Sequence, residues 1–145
     1  MQRLDRLTDE AVWQMPERSA DSGEPRVLIA DDDMNATRAI CLALEDADLT
    51  VRAAHTGLDA VTAVRKWRPG VVLLDLMMPL GDGWEVAEVI RAADPAMLLI
   101  AHTSRTSRED QTRARLKGFN GYFVKPTELD RLIAVLHEYY SMRQA

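Results

Sequence analysis

Cysteine occurs once in this 145-residue chain, at Cys41. That excludes an intrachain disulfide and fits a reducing compartment. Long apolar runs are also missing. None approaches the roughly 20 residues needed to cross a bilayer, and the opening residues, Met1 through Arg6, lack the apolar stretch of a secretory signal. There is no excess of positive charge: the formal net charge is −5, which argues against direct nucleic-acid binding. No three His, Cys and Asp residues show zinc-ligand spacing, and there is no internal repeat or low-complexity tract. What remains is a cytoplasmic globular protein of one domain's length, 47% apolar, with no membrane partner.

Four short apolar runs each end on a polar group. The run at 27–30 leads into Asp31 and Asp32, and the run at 71–74 into Asp75. The run at 98–101 passes through His102 to Thr103, and the run at 122–124 leads into Lys125 and Pro126. Continuous Val, Ile and Leu runs of this length suit strands buried on both faces of a parallel sheet. If all four point the same way, their ends meet at the carboxyl edge, where open α/β sheets carry their ligands. Carboxylates, a hydroxyl and an ammonium gathered there make a phosphoryl-transfer site.

Between the runs the pattern is helical. Ile40 and Leu44 lie one turn apart in a helix over about 34–47, for which Asp33 is the expected N-cap. A more mixed run at 49–54 reads as a wetter edge strand. Leu58, Val61, Val64 and Trp67 stripe the next helix, which Pro69 and Gly70 stop. A third helix runs from Asp82 to about Ala93. The fourth, about 107–117, is polar almost all round, with Ala114 and Leu116 its apolar candidates and a capping-box spacing between Thr106 and Glu109. Segment 104–117 carries five basic and two acidic residues. Thr127 is the expected cap of a last helix containing Leu129, Leu132, Ile133, Leu136 and Tyr140. Five β-α repeats of this kind predict a doubly wound α/β domain over 26–145. Residues 1–25 form an N-terminal extension with three basic and six acidic residues. There Leu4, Leu7, Ala11, Val12 and Met15 fall near the spacing of an amphipathic helix, the other reading being a mobile tail.

In these motifs the chain resembles the receiver domain of two-component response regulators. The resemblance covers about 26–142. It rests on Asp31 and Asp32 after the first strand, Asp75 followed by Leu76, Met77, Met78 and Pro79, the Asp82-Gly83 turn, Thr103 and Ser104, and the stretch from Gly121 to Pro126. The spacings agree as well: 43 residues from Asp32 to Asp75, 28 on to Thr103 and 22 more to Lys125. The resemblance implies a flavodoxin-like, five-stranded parallel sheet of order 2-1-3-4-5 with five flanking helices, the order for which the chemotaxis regulator of this family is a standard example.

The resemblance also implies roles. Asp75 is the expected phosphoacceptor, supplied by a histidine kinase or a histidine phosphotransfer protein. Three crowded carboxylates repel one another, and a divalent cation relieves this. The expected ion is Mg²⁺, held directly by Asp32 and Asp75, through water by Asp31, and by the Met77 backbone carbonyl. Lys125 is expected to pair with Asp75 at rest and with the phosphoryl oxygens afterwards, across a cis bond to Pro126. Thr103 is the expected hydroxyl donor to the phosphoryl group, and the small Ser104 lets backbone approach it. Tyr122 is the expected switch aromatic, turning inward as Thr103 moves. Met77 and Arg105 border the phosphate and imply slow self-dephosphorylation. His102 is expected in the core, His55 and His137 at the surface, and Trp84 near enough to report on binding.

The leading expectation is therefore a stand-alone receiver, a phosphoacceptor rather than an enzyme. Its output is a protein–protein contact, or a homodimer, through the fourth helix, fifth strand and last helix. Three alternatives remain. One is a haloacid-dehalogenase-like phosphatase using Asp31 and Asp33, although Met34 and Asn35 replace the small-residue turn it needs and no cap insertion is present. Another is a flavin mononucleotide binder, which needs a Ser/Thr-rich loop where this chain has acids. The last is a receiver excised from a longer regulator.

Overall fold

The computed structural model describes residues 12–16, 23–79 and 82–142. Its elements alternate: β1 Arg26–Ala30, α1 Met34–Asp46, β2 Thr50–Ala54, α2 Gly57–Trp67, β3 Val71–Leu74, α3 Gly83–Ala93, β4 Leu98–Thr103, α4 Arg108–Leu116, β5 Gly121–Val124 and α5 Leu129–Met142. All five strands are parallel, in the order β2-β1-β3-β4-β5, as expected. No described helix is long and apolar enough to cross a membrane.

Strand alternation builds two cores. Leu28, Ala30, Val72, Leu74, Leu99, Ala101 and Tyr122 face α2, α3 and α4. Their chain neighbours Val27, Ile29, Val71, Leu73, Leu98, Ile100 and Phe123 face α1 and α5. Both faces of the central strands are therefore covered, which is why the runs are continuously apolar. β2 lies at one edge and is only partly buried, as its mixed pattern predicts.

The helix boundaries carry the corrections. Asp33 caps α1 as expected, accepting the amides of Asn35 and Ala36. The cap of α4 is Ser107, which accepts from Asp110, so the capping site lies one residue past Thr106. α5 begins at Leu129, and the Thr127 hydroxyl is engaged by the His102 ring instead. Leu58 and Leu116 face solvent, Leu116 at 81% exposure. Ala114 is then the buried residue of α4, which otherwise leans on surface contacts: Lys117 with Glu88, and the Arg113 guanidinium 4.3 Å from the Trp84 ring. Gly118, at φ 98°, lets the chain reverse after α4 where an L side chain is strained. Arg91 then locks the turn, donating to Gly118 O and Asn120 Oδ1.

Residues 12–16 do not continue an amphipathic helix. Val12 makes an antiparallel bridge with Gly121, and the Trp13 amide donates to Asn120 O at 2.7 Å. The free edge of β5 offers unpaired backbone groups, and pairing with them outcompetes a helix that Pro16 would cut short. The remainder of the expected helix, 1–11, lies outside the described residues.

The β3–α3 loop passes close to α3. A Cβ on Gly83 would stand 2.6 Å from Leu76 Cα and 2.9 Å from Asp75 O. Because both are backbone atoms, Gly83→Ala must push the loop that carries Asp75. We expect a loss of about 2 kcal/mol, the scale of overpacking, read as a lower denaturant midpoint at unchanged slope.

Candidate functional site

Strand register sets the site. Ala30 is level with Leu74, so the residues that follow, Asp31 and Asp75, emerge side by side. The ladder runs one step further on each: Asp31 N–H donates to Ala54 O and Asp75 N–H to Ala30 O, both at 2.9 Å. Thr103 is level with Val124, and Lys125 N–H donates to Thr103 O at 2.8 Å. Four strand ends thus deliver Asp31, Asp75, Thr103 and Lys125 to one edge.

The side chains converge. Lys125 Nζ donates to Asp31 Oδ2 at 2.5 Å and to Asp75 Oδ2 at 3.1 Å. The other oxygens accept backbone amides: Asp31 Oδ1 from Asp33 at 2.9 Å and Asp75 Oδ1 from Met77 at 3.0 Å. Asp32, exposed, completes a set of three carboxylates whose oxygens lie within 4.8 Å of one another. Asp31 is fully buried and Asp75 nearly so. The expected Lys125–Asp75 pairing is present, but Lys125 is shared with Asp31. The bond to Pro126 is cis.

Burial drives the electrostatics. It raises the Asp75 carboxyl above its ordinary value, and the Met77 amide and Lys125 only partly oppose this. Burial works against the Lys125 charge too, but the hydrogen bonds it donates to Asp31 and Asp75 outweigh this and hold the ammonium above its usual range. One cation faces three anions, so the pocket retains an excess of negative charge.

The neighbours are partly as expected. Thr103 is buried, and its Oγ1 accepts the Arg105 amide at 3.3 Å. Ser104 is exposed. Arg105 does not aim its guanidinium at the pocket. It pairs with Asp110 at 3.4 Å, the nearer route to compensation for a charge on a polar loop. Met77 is half exposed beside its own amide contact to Asp75. Tyr122 is 3% exposed. Its hydroxyl donates to Arg105 O at 3.0 Å, and burial pushes its pKa up to about 12. Trp84 lies in the core against Phe119. His55 is not a plain surface residue, because its Nδ1 meets Asp31 O at 2.8 Å. No spacing signal in the sequence places it there.

His102 is buried as expected. Burial, and then the positive charge of Lys125, lower its pKa from 6.5 to about 4. The unfolded chain takes up a proton that the folded one refuses. The resulting stability is complete above pH 6.5 and is lost as pH falls toward 4, by up to about 3 kcal/mol. Asp75 acts in the opposite direction, so the comparison isolates His102: His102→Gln should show a shallower fall in melting temperature across that window than the wild type.

The sequence agrees with the geometry. The model of the response regulator receiver domain matches residues 27–137, and the chain belongs to that family, the phosphoacceptors that histidine kinases modify in two-component signalling. It is 32% identical over 135 residues to the transcriptional regulatory protein TrcR of Mycobacterium tuberculosis, covering 92% of this chain and 52% of that protein. It is 32% identical over 114 residues to the DNA-binding response regulator MtrA of the same organism, covering 79% and 50%. The chain thus spans about half the length of these curated relatives. Its fold matches a CheY-like receiver domain from Methanospirillum hungatei with a TM-score of 0.78 at 24% identity, over 84% of this chain and 98% of that one.

Two alternatives lose ground on geometry. A phosphatase needs Asp33 as its second acid, but Asp33 Oδ1 caps α1 by accepting the Asn35 and Ala36 amides, and the carboxylate cluster is Asp31, Asp32 and Asp75. A flavin phosphate would meet Asp31 and Asp32 after β1, where it needs donors.

Proposed function

We propose that Asp75 accepts a phosphoryl group from a phosphohistidine on a histidine kinase or histidine phosphotransfer protein. The observation that carries this reading is the single ammonium of Lys125 bonded to both Asp31 and Asp75, with Asp32 close by. An Asp75 carboxylate oxygen forms the new O–P bond. The P–N bond breaks, and its electron pair returns to the donor imidazole. Lys125 already touches the oxygen side of Asp75, so it can follow the charge onto the phosphoryl oxygens without leaving the site. Thr103 supplies a hydroxyl at the next strand end, and the small exposed Ser104 leaves the backbone room to approach.

The donor set fits Mg²⁺: it is all oxygen, carries excess negative charge and is open to water on the Asp32 side. Asp31, Asp32, Asp75 and the Met77 carbonyl would hold the ion, which when bound offsets charge on the transferring group. The modified state then alters the surface made by α4, β5 and α5, toward a protein target or a second copy of the chain. Half-exposed Met77 shields the acceptor from water, so the phosphoryl group should persist for many minutes rather than seconds. Arg105 has no part in this, being held by Asp110.

The test is incubation with acetyl phosphate, with and without Mg²⁺, followed by mass mapping of the modified peptide. Mg²⁺-dependent phosphoryl on Asp75 supports the reading. Phosphoryl on Asp31 would replace it with the phosphatase reading, and no incorporation would remove both.

A further inference from the structure

The β5 edge is already taken. The amides of Trp13 and Gln14 both donate to Asn120 O, at 2.7 and 3.3 Å, and Val12 bridges Gly121. The side chains grip both faces of the sheet. Val12 and Met15 pack on the core beneath α5, while Trp13 packs on the core beneath α4. The Trp13 ring lies 6.4 Å from the Tyr122 ring, and Arg115 of α4 stacks on it at 4.6 Å. Trp13 forms one wall of a groove of about 710 Å³ whose other walls include Arg108, Tyr122, Val124 and Arg131. A segment from the extension therefore sits on the surface assigned above to output.

A contact path joins this segment to the acceptor edge. Trp13 packs on Tyr122, the Tyr122 hydroxyl donates to Arg105 O, and the Arg105 amide donates to Thr103 Oγ1. If Thr103 turns its hydroxyl to a phosphoryl oxygen, the Arg105 amide loses that acceptor and the anchor of Tyr122 shifts. α4 offers little resistance, with one buried residue.

We infer that residues 12–16 form an intramolecular strap that occupies the β5 edge and the α4–β5–α5 face in the unmodified protein, and that modification of Asp75 releases it. The strap excludes a second copy or a target strand from the β5 edge, because an edge pairs with one strand at a time. Linkage requires the reverse effect: a strap that favours the unmodified state weakens binding of a phosphoryl mimic, and its removal strengthens binding by the same factor. The release step rests on the phosphoacceptor reading, whereas the docked strap does not.

The experiment uses the full chain, wild type and Trp13→Ala. Amide exchange by mass spectrometry reads the strap without any ligand. The 12–16 peptide is expected to be protected in the wild type and to lose that protection on adding beryllofluoride with Mg²⁺. Trp13→Ala should expose the peptide from the start and tighten beryllofluoride binding about fivefold or more. A 12–16 peptide that exchanges like free chain in the unmodified wild type would overturn the strap. Protection unchanged by bound beryllofluoride, or equal affinity in the two proteins, would overturn its release. If neither protein binds beryllofluoride, the phosphoacceptor reading and the release both fall, while ligand-free protection of 12–16 still decides the docked strap.

Discussion

Asp75→Asn should reduce phosphoryl incorporation from acetyl phosphate to background and, without divalent cations, raise the thermal midpoint. The first effect is chemical: an amide oxygen is a poor nucleophile toward phosphorus, and the neighbouring carboxylates cannot substitute. Asp31 is fully buried, with its oxygens committed to Lys125 and the Asp33 amide, and Asp32 lacks the lysine contact that Asp75 has. The second effect follows from the raised Asp75 pKa, caused chiefly by burial. A group that binds its proton more tightly when folded stabilises the fold below its unfolded value of 3.8. That contribution is lost as pH rises through the folded value. At neutral pH the ionised carboxylate therefore opposes folding, and a neutral isostere relieves it. Asn keeps an oxygen for the Met77 amide and leaves Lys125 its bond to Asp31. Incorporation that persists in this variant would move the acceptor elsewhere. A midpoint that falls would mean that Lys125 gains more from Asp75 than burial costs.

Lys125→Ala should be the most destabilising single change at the site. It strips the shared cation from two buried carboxylates, and removing one partner of a largely buried pair leaves the other charge uncompensated. With the lysine side chain 24% exposed, we expect the low end of that range, about 3 kcal/mol, or roughly 6–12 °C in midpoint for a domain of this size. The double variant Lys125→Ala/Asp75→Asn isolates the cause. If the loss comes from stranded charge, the second substitution restores a good part of it, giving a coupling that independent sites would not show. Additive losses would instead assign Lys125 an ordinary packing role. Millimolar Mg²⁺ should also narrow the gap between wild type and Lys125→Ala, because the ion binds the native acid cluster and not the dispersed carboxylates of the unfolded chain.

The strand ends were legible because their causes are local. A doubly buried strand must be apolar throughout, so the point where Val, Leu and Ile give way to Asp31, Asp75, Thr103 or Lys125 marks the edge of the sheet. Asp33 was readable as a cap because its side chain bonds amides two and three residues on, whereas Asp82, expected as the first helical residue, is the cap of a helix that starts at Gly83. Other features were set by distant partners. Thr106 and Ser107 are both competent caps, and the path of the loop from β4 chose Ser107. Leu58 satisfies helical spacing and Leu116 is an apolar candidate on a polar helix, yet both face solvent. Arg105 stands two residues after Thr103 but is held by Asp110, and His55 reaches Asp31 O across 24 positions. Residues 12–16 read as a mobile tail or as the end of a short helix, because nothing in their own spacing announces an open strand edge more than a hundred residues later.

The order of apolar and polar residues along the chain was enough to specify a parallel α/β sheet with acids, a hydroxyl and a lysine on its carboxyl edge, since burial on both faces leaves each strand only one kind of composition. Which carboxylate shares the lysine, where the arginines turn, and what covers the last strand were settled only by folding. Those outcomes depend on which charged and hydrogen-bonding groups arrive within a few ångströms of each other, and separation along the chain says nothing about that.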